Sequence, residues 1–100
     1  MTRLEILSMT KSNLQIAGSS FDDYLEFLID AAQNAIKAEG ITIDFDAIDD
    51  CNLIVMYTSY LYRKRVGDDP VMPRMLRYAL NNRVFAEKAK AKAEEGGESS

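Results

Sequence analysis

The side chains of this chain that could do chemistry are carboxylates, guanidinium and ammonium groups and a single thiol, with no imidazole among them. Without histidine there is no Ser-His or Cys-His pair to activate a nucleophile, and the commonest transition-metal ligand is missing. An enzyme is therefore not expected. The adjacent pairs Asp22-Asp23 and Asp68-Asp69 are of a type suited to acid-base work. One stands at a helix start, however, and the other before a proline, where carboxylates serve as caps and turn formers. Asp44, Asp46, Asp49 and Asp50 superficially suggest calcium. Aligned as an EF-hand loop from Asp44, they place Ile48 fifth, Asp49 where the invariant Gly belongs and Val55 where the bidentate Glu belongs. No metal or cofactor is expected. Cys51 lies in a mostly apolar stretch and reads as a small buried hydrophobe; as the lone cysteine it excludes an intramolecular disulfide.

The strongest polar signal is Arg63-Lys64-Arg65. At a helix C-terminus such a cluster complements the macrodipole and lays long aliphatic stems on apolar surface. With Arg74, Arg77 and Arg83 following, it also reads as a basic contact surface, facing either DNA in a channel or acids on a neighbouring subunit. Phosphate contacts of that kind carry no sequence preference, and no helix-turn-helix or zinc-finger spacing is present. The charge is strongly divided along the chain. Residues 1–50 hold three basic and ten acidic side chains, whereas residues 51–83 hold six basic and two acidic, within a net charge of -4. Copies of such a molecule can meet acidic face to basic face.

The elements that position these groups are helices. One hundred residues, 47% of them hydrophobic, make a single domain with one core. The first helix spans about residues 3–12, with Thr2 available as its cap and Leu4, Ile6 and Leu7 apolar. Ser20 with Asp23 resembles a capping box. After it Phe21, Tyr24, Leu25, Leu28, Ile29, Ala32, Ala35 and Ile36 recur at helical spacing until Gly40. A long central helix, residues 48–66, is apolar or tyrosine on nearly every face and must be covered all round. Three short neighbours can hardly enclose it, so self-association through Tyr57, Tyr60 and Tyr62 is expected. Gly67 ends it and Asp68-Asp69-Pro70 forms a turn. Pro73 suits the first turn of a fourth helix with Met72, Met75, Leu76, Ala79, Leu80 and Val84 inward and Arg74, Arg77, Tyr78, Asn81, Asn82 and Arg83 outward. These readings give an all-α bundle of about four helices over residues 1–85. Residues 86–100 form a charged tail with helix propensity but no apolar stripe, expected to be flexible, with 94–100 disordered. The N-terminus lacks a signal-peptide core and the longest uncharged run, residues 51–62, is too short to span a membrane, so a soluble intracellular protein is expected.

The order of these pieces resembles a known family. An apolar-faced helix from an acidic start (Phe21-Asp22-Asp23-Tyr24-Leu25), a tyrosine-rich helix, a basic end (Arg63-Lys64-Arg65-Val66-Gly67), an Asp-Asp-Pro break and a Met72-Pro73-Arg74 helix are similar to the small head-tail connector proteins of long-tailed bacteriophages, also called adaptor or head-completion proteins. The resemblance covers about residues 4–85. It implies a structural virion protein at the head-tail junction, made in the host cytoplasm. Copies would form a ring below the portal that extends the DNA channel after packaging and receives the stopper or tail. The implied partners are further copies of itself, the portal protein, a stopper or tail-completion protein and, non-specifically, genomic DNA, with no membrane. The alternative is a small helical dimeric regulator that binds nucleic acid non-specifically.

Overall fold

A helix that is apolar on nearly every side can be stable only where other elements lie against it. The computed structural model describes residues 1–67 and 71–99, the side chains of 95–99 excepted. The described residues form four helices: α1 (Arg3–Leu14), α2 (Asp22–Ala38), α3 (Ile48–Val66) and α4 (Arg74–Ser99). Among the described residues there is no strand, and the protein is a small all-α bundle. The expected Asp68-Asp69-Pro70 turn lies outside the described residues.

α1 begins on a reciprocal cap. Thr2 Oγ1 accepts the Glu5 amide at 3.2 Å while the Glu5 carboxylate accepts the Thr2 amide at 3.2 Å, satisfying donors that a helix start otherwise leaves orphaned. The Ser20 box expected for α2 does not form. Phe21 occupies the cap position, and no side chain caps the helix. Asp22 and Asp23 instead lie inside the first turn, where negative charge meets the positive end of the dipole, and Asp22 is drawn to Lys11 at 2.8 Å.

Cross-links between helices fix their directions. Arg3 pairs with Asp30 at 2.8 Å and Lys11 with Asp22 at 2.8 Å, so α1 and α2 run antiparallel. Asn13 donates to Ser59 Oγ at 2.8 Å, and the Met1 amine donates to the Phe45 carbonyl at 2.6 Å, so α1 runs parallel to α3. Ile6, Leu25, Ile29, Ile36, Ile54, Leu76 and Leu80 are completely or almost completely buried between them. Thr10, Thr58 and Ser59 are buried too, but each hydroxyl donates to the carbonyl four residues back, at 2.7 to 2.8 Å. No hydroxyl among the three is left unpaired, which would otherwise cost stability.

Much of α3 is enclosed by its own chain. Its only large exposed apolar residues are at its two ends, Ile48 and Val66. Between them Cys51, Leu53, Ile54 and Val55 are buried, and Met56, Tyr57, Leu61 and Tyr62 are half-buried. α1, α2 and α4 each contribute to this cover, and the tyrosines add their own rings to it.

α4 departs from expectation in two respects. Met75, assigned inward, is 76% exposed, while Leu76 and Leu80 carry the burial. The helix also has no break at Phe85 and continues to Ser99. Alternating alanine and lysine favour helix, and Arg83 bridges to Glu87 one turn on at 2.8 Å. From Lys88 to Glu94 every side chain is exposed, so this part of the helix extends past the bundle it started from. Glu87 also receives the Thr42 amide at 3.2 Å, and among the described residues it is the last side chain with a hydrogen bond or ion pair to the bundle. Ending the chain after Ala89 should therefore leave stability within about 1 kcal/mol of the full chain, whereas ending it after Phe85 should lower the melting temperature measurably. Equal melting curves for the two truncations would show that Glu87 contributes nothing.

Candidate functional site

The candidate functional groups are the basic residues and the tyrosines, and the structure separates the basic residues into two sets. Arg77 and Arg83 reach from α4 to the end of α2 and the start of α3. Arg77 grips Glu39 with both terminal nitrogens, at 3.2 to 3.3 Å. Arg83 donates to both oxygens of Asp50, at 3.0 and 3.4 Å, and to the Thr42 carbonyl at 2.9 Å. Its remaining nitrogen meets Glu87. These two arginines hold α4 against the rest of the bundle and are paired with acids of their own chain. Arg63, Lys64, Arg65 and Arg74 form the second set. Among the described residues none of the four has an ion-pair partner, and Lys64 lies 5.9 Å from the centre of the Tyr60 ring.

Asp50 is the buried member of the clamp, only 5% exposed. Burial is the largest single influence on its carboxyl and opposes ionisation. The Arg83 hydrogen bond, the Asp44 amide at 2.8 Å and the charge of Arg83 together outweigh it, and the carboxyl sits below its ordinary value. Arg83 is correspondingly raised, first by its hydrogen bond to Asp50. In the sequence Asp50 groups with Asp44, Asp46 and Asp49 as a superficially calcium-like cluster; it differs because it stands three, four and seven residues before Leu53, Ile54 and Tyr57, on the side of α3 that turns inward. That spacing was the available signal. Asp44, Asp46 and Asp49 remain exposed.

The three tyrosines assigned to a subunit contact are packed within their own chain. Tyr57 and Tyr60 meet edge to face at 5.8 Å, and Tyr62 meets Phe21 and Tyr24, each at 6.4 Å. Tyr57 sits near the Arg77–Glu39 pair. Burial first, then the charge of Glu39, pushes its phenol up. Tyr60 is 9% exposed, so replacing it tests folding before it tests assembly.

Exposed apolar side chains lie elsewhere. On α2, Phe27 is 65% exposed and stands off the stripe that its neighbours Leu25, Leu28 and Ile29 follow. With Tyr24, Leu28, Ala31 and Leu61 it lines an open groove of about 580 Å³ bordered by Lys64 and Arg65. Sequence reading overlooked this groove because Phe27 reads as an isolated surface residue until α2 and α3 are placed side by side. α4 carries Met75, Tyr78 and Phe85 outward, and around α3's start Phe45 and Ile48 are exposed beside the acids. No helix among the described residues is long and apolar enough to cross a membrane. Comparison with known protein families, with characterised proteins and with solved structures finds no match.

The Asp50–Arg83 clamp gives a signed pH dependence. A carboxyl held below its unfolded value contributes stability that is complete above the unfolded-state pKa, about 4 for Asp. That contribution is lost as pH falls through the lower folded-state value. Asp50→Asn should destabilise the protein at neutral pH by about 2 kcal/mol. It should also flatten the decline of the melting temperature below about pH 4. Parallel acid melting curves for the two proteins would show that Asp50 does not titrate with folding.

Proposed function

We propose that this protein is a structural subunit of a ring between the portal and the tail or stopper of a long-tailed bacteriophage, where it extends the DNA channel after packaging. The observation that carries the reading is the exterior of the bundle. Large apolar side chains stand outside on at least three elements, Phe27 on α2, Ile48 on α3, and Met75 and Phe85 on α4, each more than half exposed. Single exposed apolar residues are ordinary on a monomer. Placed on three different helices of a 100-residue chain, with charges of both signs that have no ion-pair partner among the described residues, they fit a subunit with neighbours on more than one side. The order of sequence elements described above supplies the phage assignment. The groups on offer suit contact and not turnover.

Two different surfaces on one molecule make a heterologous contact, which closes into a ring when the rotation per copy matches and otherwise grows open-ended. A portal of roughly twelve-fold symmetry would favour the same number of copies by templating them. The alternative, a regulator binding nucleic acid non-specifically, depends on a broad basic face. With Arg77 and Arg83 committed to Glu39 and Asp50, that face is reduced to Arg63, Lys64, Arg65 and Arg74, which weakens the alternative without bearing on the ring.

Electron microscopy and sedimentation of the concentrated protein, alone and with portal protein, provide the test. The expected result is a concentration-dependent ring, or a ring formed on the portal where the free protein is smaller. A protein that stays monomeric at every concentration and does not bind portal would end this reading. Salt-sensitive duplex binding by a free dimer would favour the regulator.

A further inference from the structure

The groove between α2 and α3 has an apolar floor, Phe27, Leu28, Ala31 and Leu61, and a cationic rim, Lys64 and Arg65. An occupant that suits it must bring apolar side chains flanked by carboxylates. The other end of α3 has that composition. Phe45 and Ile48 are 43% and 74% exposed there, and between and beside them Asp46 and Asp49 are exposed with no ion-pair partner among the described residues. The Met1 amine is held nearby on the Phe45 carbonyl, which leaves more carboxylate than ammonium charge at this end.

We infer that the acidic, apolar start of α3 in one copy seats in the basic, apolar groove of a second copy. The inference rests on the ring reading and names the contact that would build it. Within one copy the two surfaces cannot meet, because they lie at opposite ends of a helix of 19 residues, about 28 Å long at 1.5 Å per residue. Each copy therefore offers one unfilled groove and one unseated knob. Burying Ile48 and Phe45 against Phe27 and Leu61 removes apolar surface from water on both partners. Setting Asp46 and Asp49 against Lys64 and Arg65 selects the orientation and rejects the reverse pairing, in which like charges would meet.

The distribution of side chains supports a division of labour. Asp50 is turned inward and neutralised by Arg83, while its neighbours Asp46 and Asp49 remain outside. At the other end Tyr60 is inside, and Lys64, lying over its ring, remains exposed. The fold thus uses one member of each cluster and leaves the others at the surface with complementary charge.

Charge exchange tests the pairing. One variant carries Asp46→Lys with Asp49→Lys, and the other Lys64→Glu with Arg65→Glu. Each alone should assemble at least tenfold more weakly than wild type by sedimentation, since in each the knob and the groove carry the same sign. An equimolar mixture of the two should recover assembly, because the reversed knob of one copy then matches the reversed groove of the other. Both variants alter charges that favour the α3 dipole, so helicity and melting temperature are measured alongside. If either fails to fold, Asp46→Asn with Asp49→Asn and Lys64→Gln with Arg65→Gln replace them. Each should then weaken assembly and lessen its dependence on salt between roughly 0.05 and 0.5 M. Loss in both variants without recovery in the mixture overturns the pairing, as does assembly of either folded variant at wild-type strength; in both cases the ring itself stands if the wild type forms one. Recovery in a mixture that stops at two chains supports the pairing and overturns the ring. A wild type that never self-associates, alone or with portal, removes both.

Discussion

The enclosure of α3 is the constraint on which the remaining structure depends. A helix of 19 residues that buries Cys51, Leu53, Ile54, Val55, Thr58, Ser59 and Tyr60 has only a narrow face to give to water, around Asp49 and Asn52. α1 lies parallel to it and α2 antiparallel, and α4 closes the side that these leave open. Small buried hydroxyl residues at these contacts, Thr10, Thr58 and Ser59, return their polar groups to their own helices, so the cover needs no water and no partner from outside. Because the chain satisfies α3 by itself, whatever it binds must use the outer surfaces of the covering helices and the two ends of α3.

α4 is the weakest part of that cover, and it is where ion pairs matter most. It buries Leu76 and Leu80 but leaves Met75, Tyr78 and Phe85 outside, too little apolar area to fix its rotation strongly. The guanidinium groups of Arg77 and Arg83 provide direction where the apolar contact does not. Both bind carboxylates in a forked geometry, and Arg83 also reads the Thr42 carbonyl. Bidentate pairing restricts both angle and distance. A buried pair contributes little net stability compared with apolar packing, yet leaving one partner alone is costly. The clamp therefore specifies where α4 sits more than it adds to the stability of the bundle.

Much of the fold was legible in the sequence, for identifiable reasons. Helical periodicity in α2 and the Gly67 stop of α3 are local signals, and α3 spans Ile48–Val66 as read from its acids and apolar run. Thr2 caps α1 as its residue type allowed. The readings that missed depend on what other helices do. Phe21 and not Ser20 occupies the cap position of α2, and Asp22 in its first turn pairs with Lys11 of α1. Arg77 and Arg83 were placed on an outer face because the stripe of α4 leaves them off its centre, and no local pattern tells an arginine at the margin of a stripe that Glu39 or Asp50 lies opposite. Tyr57, Tyr60 and Tyr62 looked surplus to three short helices; their rings stack on one another and on Phe21 and Tyr24, and so supply part of the missing cover.

The division of the chain into an acidic first half and a basic second part acquires two meanings once the structure is in place. Part of it is internal: Glu39 at the end of α2 and Asp50 at the start of α3 meet arginines of α4, and those charges hold the fold. The rest, Asp46 and Asp49 at one end of α3 and Arg63, Lys64 and Arg65 at the other, has no ion-pair partner among the described residues. Solvent distinguishes the two kinds. Salt screens exposed charges over roughly 8 Å at physiological ionic strength, but acts far less on a pair whose carboxylate is buried. Ionic strength should then separate folding from association in this protein, with contacts made through the ends of α3 loosening in salt that leaves Asp50 and Arg83 joined. The charges that hold the shape, Asp50 and Arg83, are thus distinct from those left exposed at the two ends of α3.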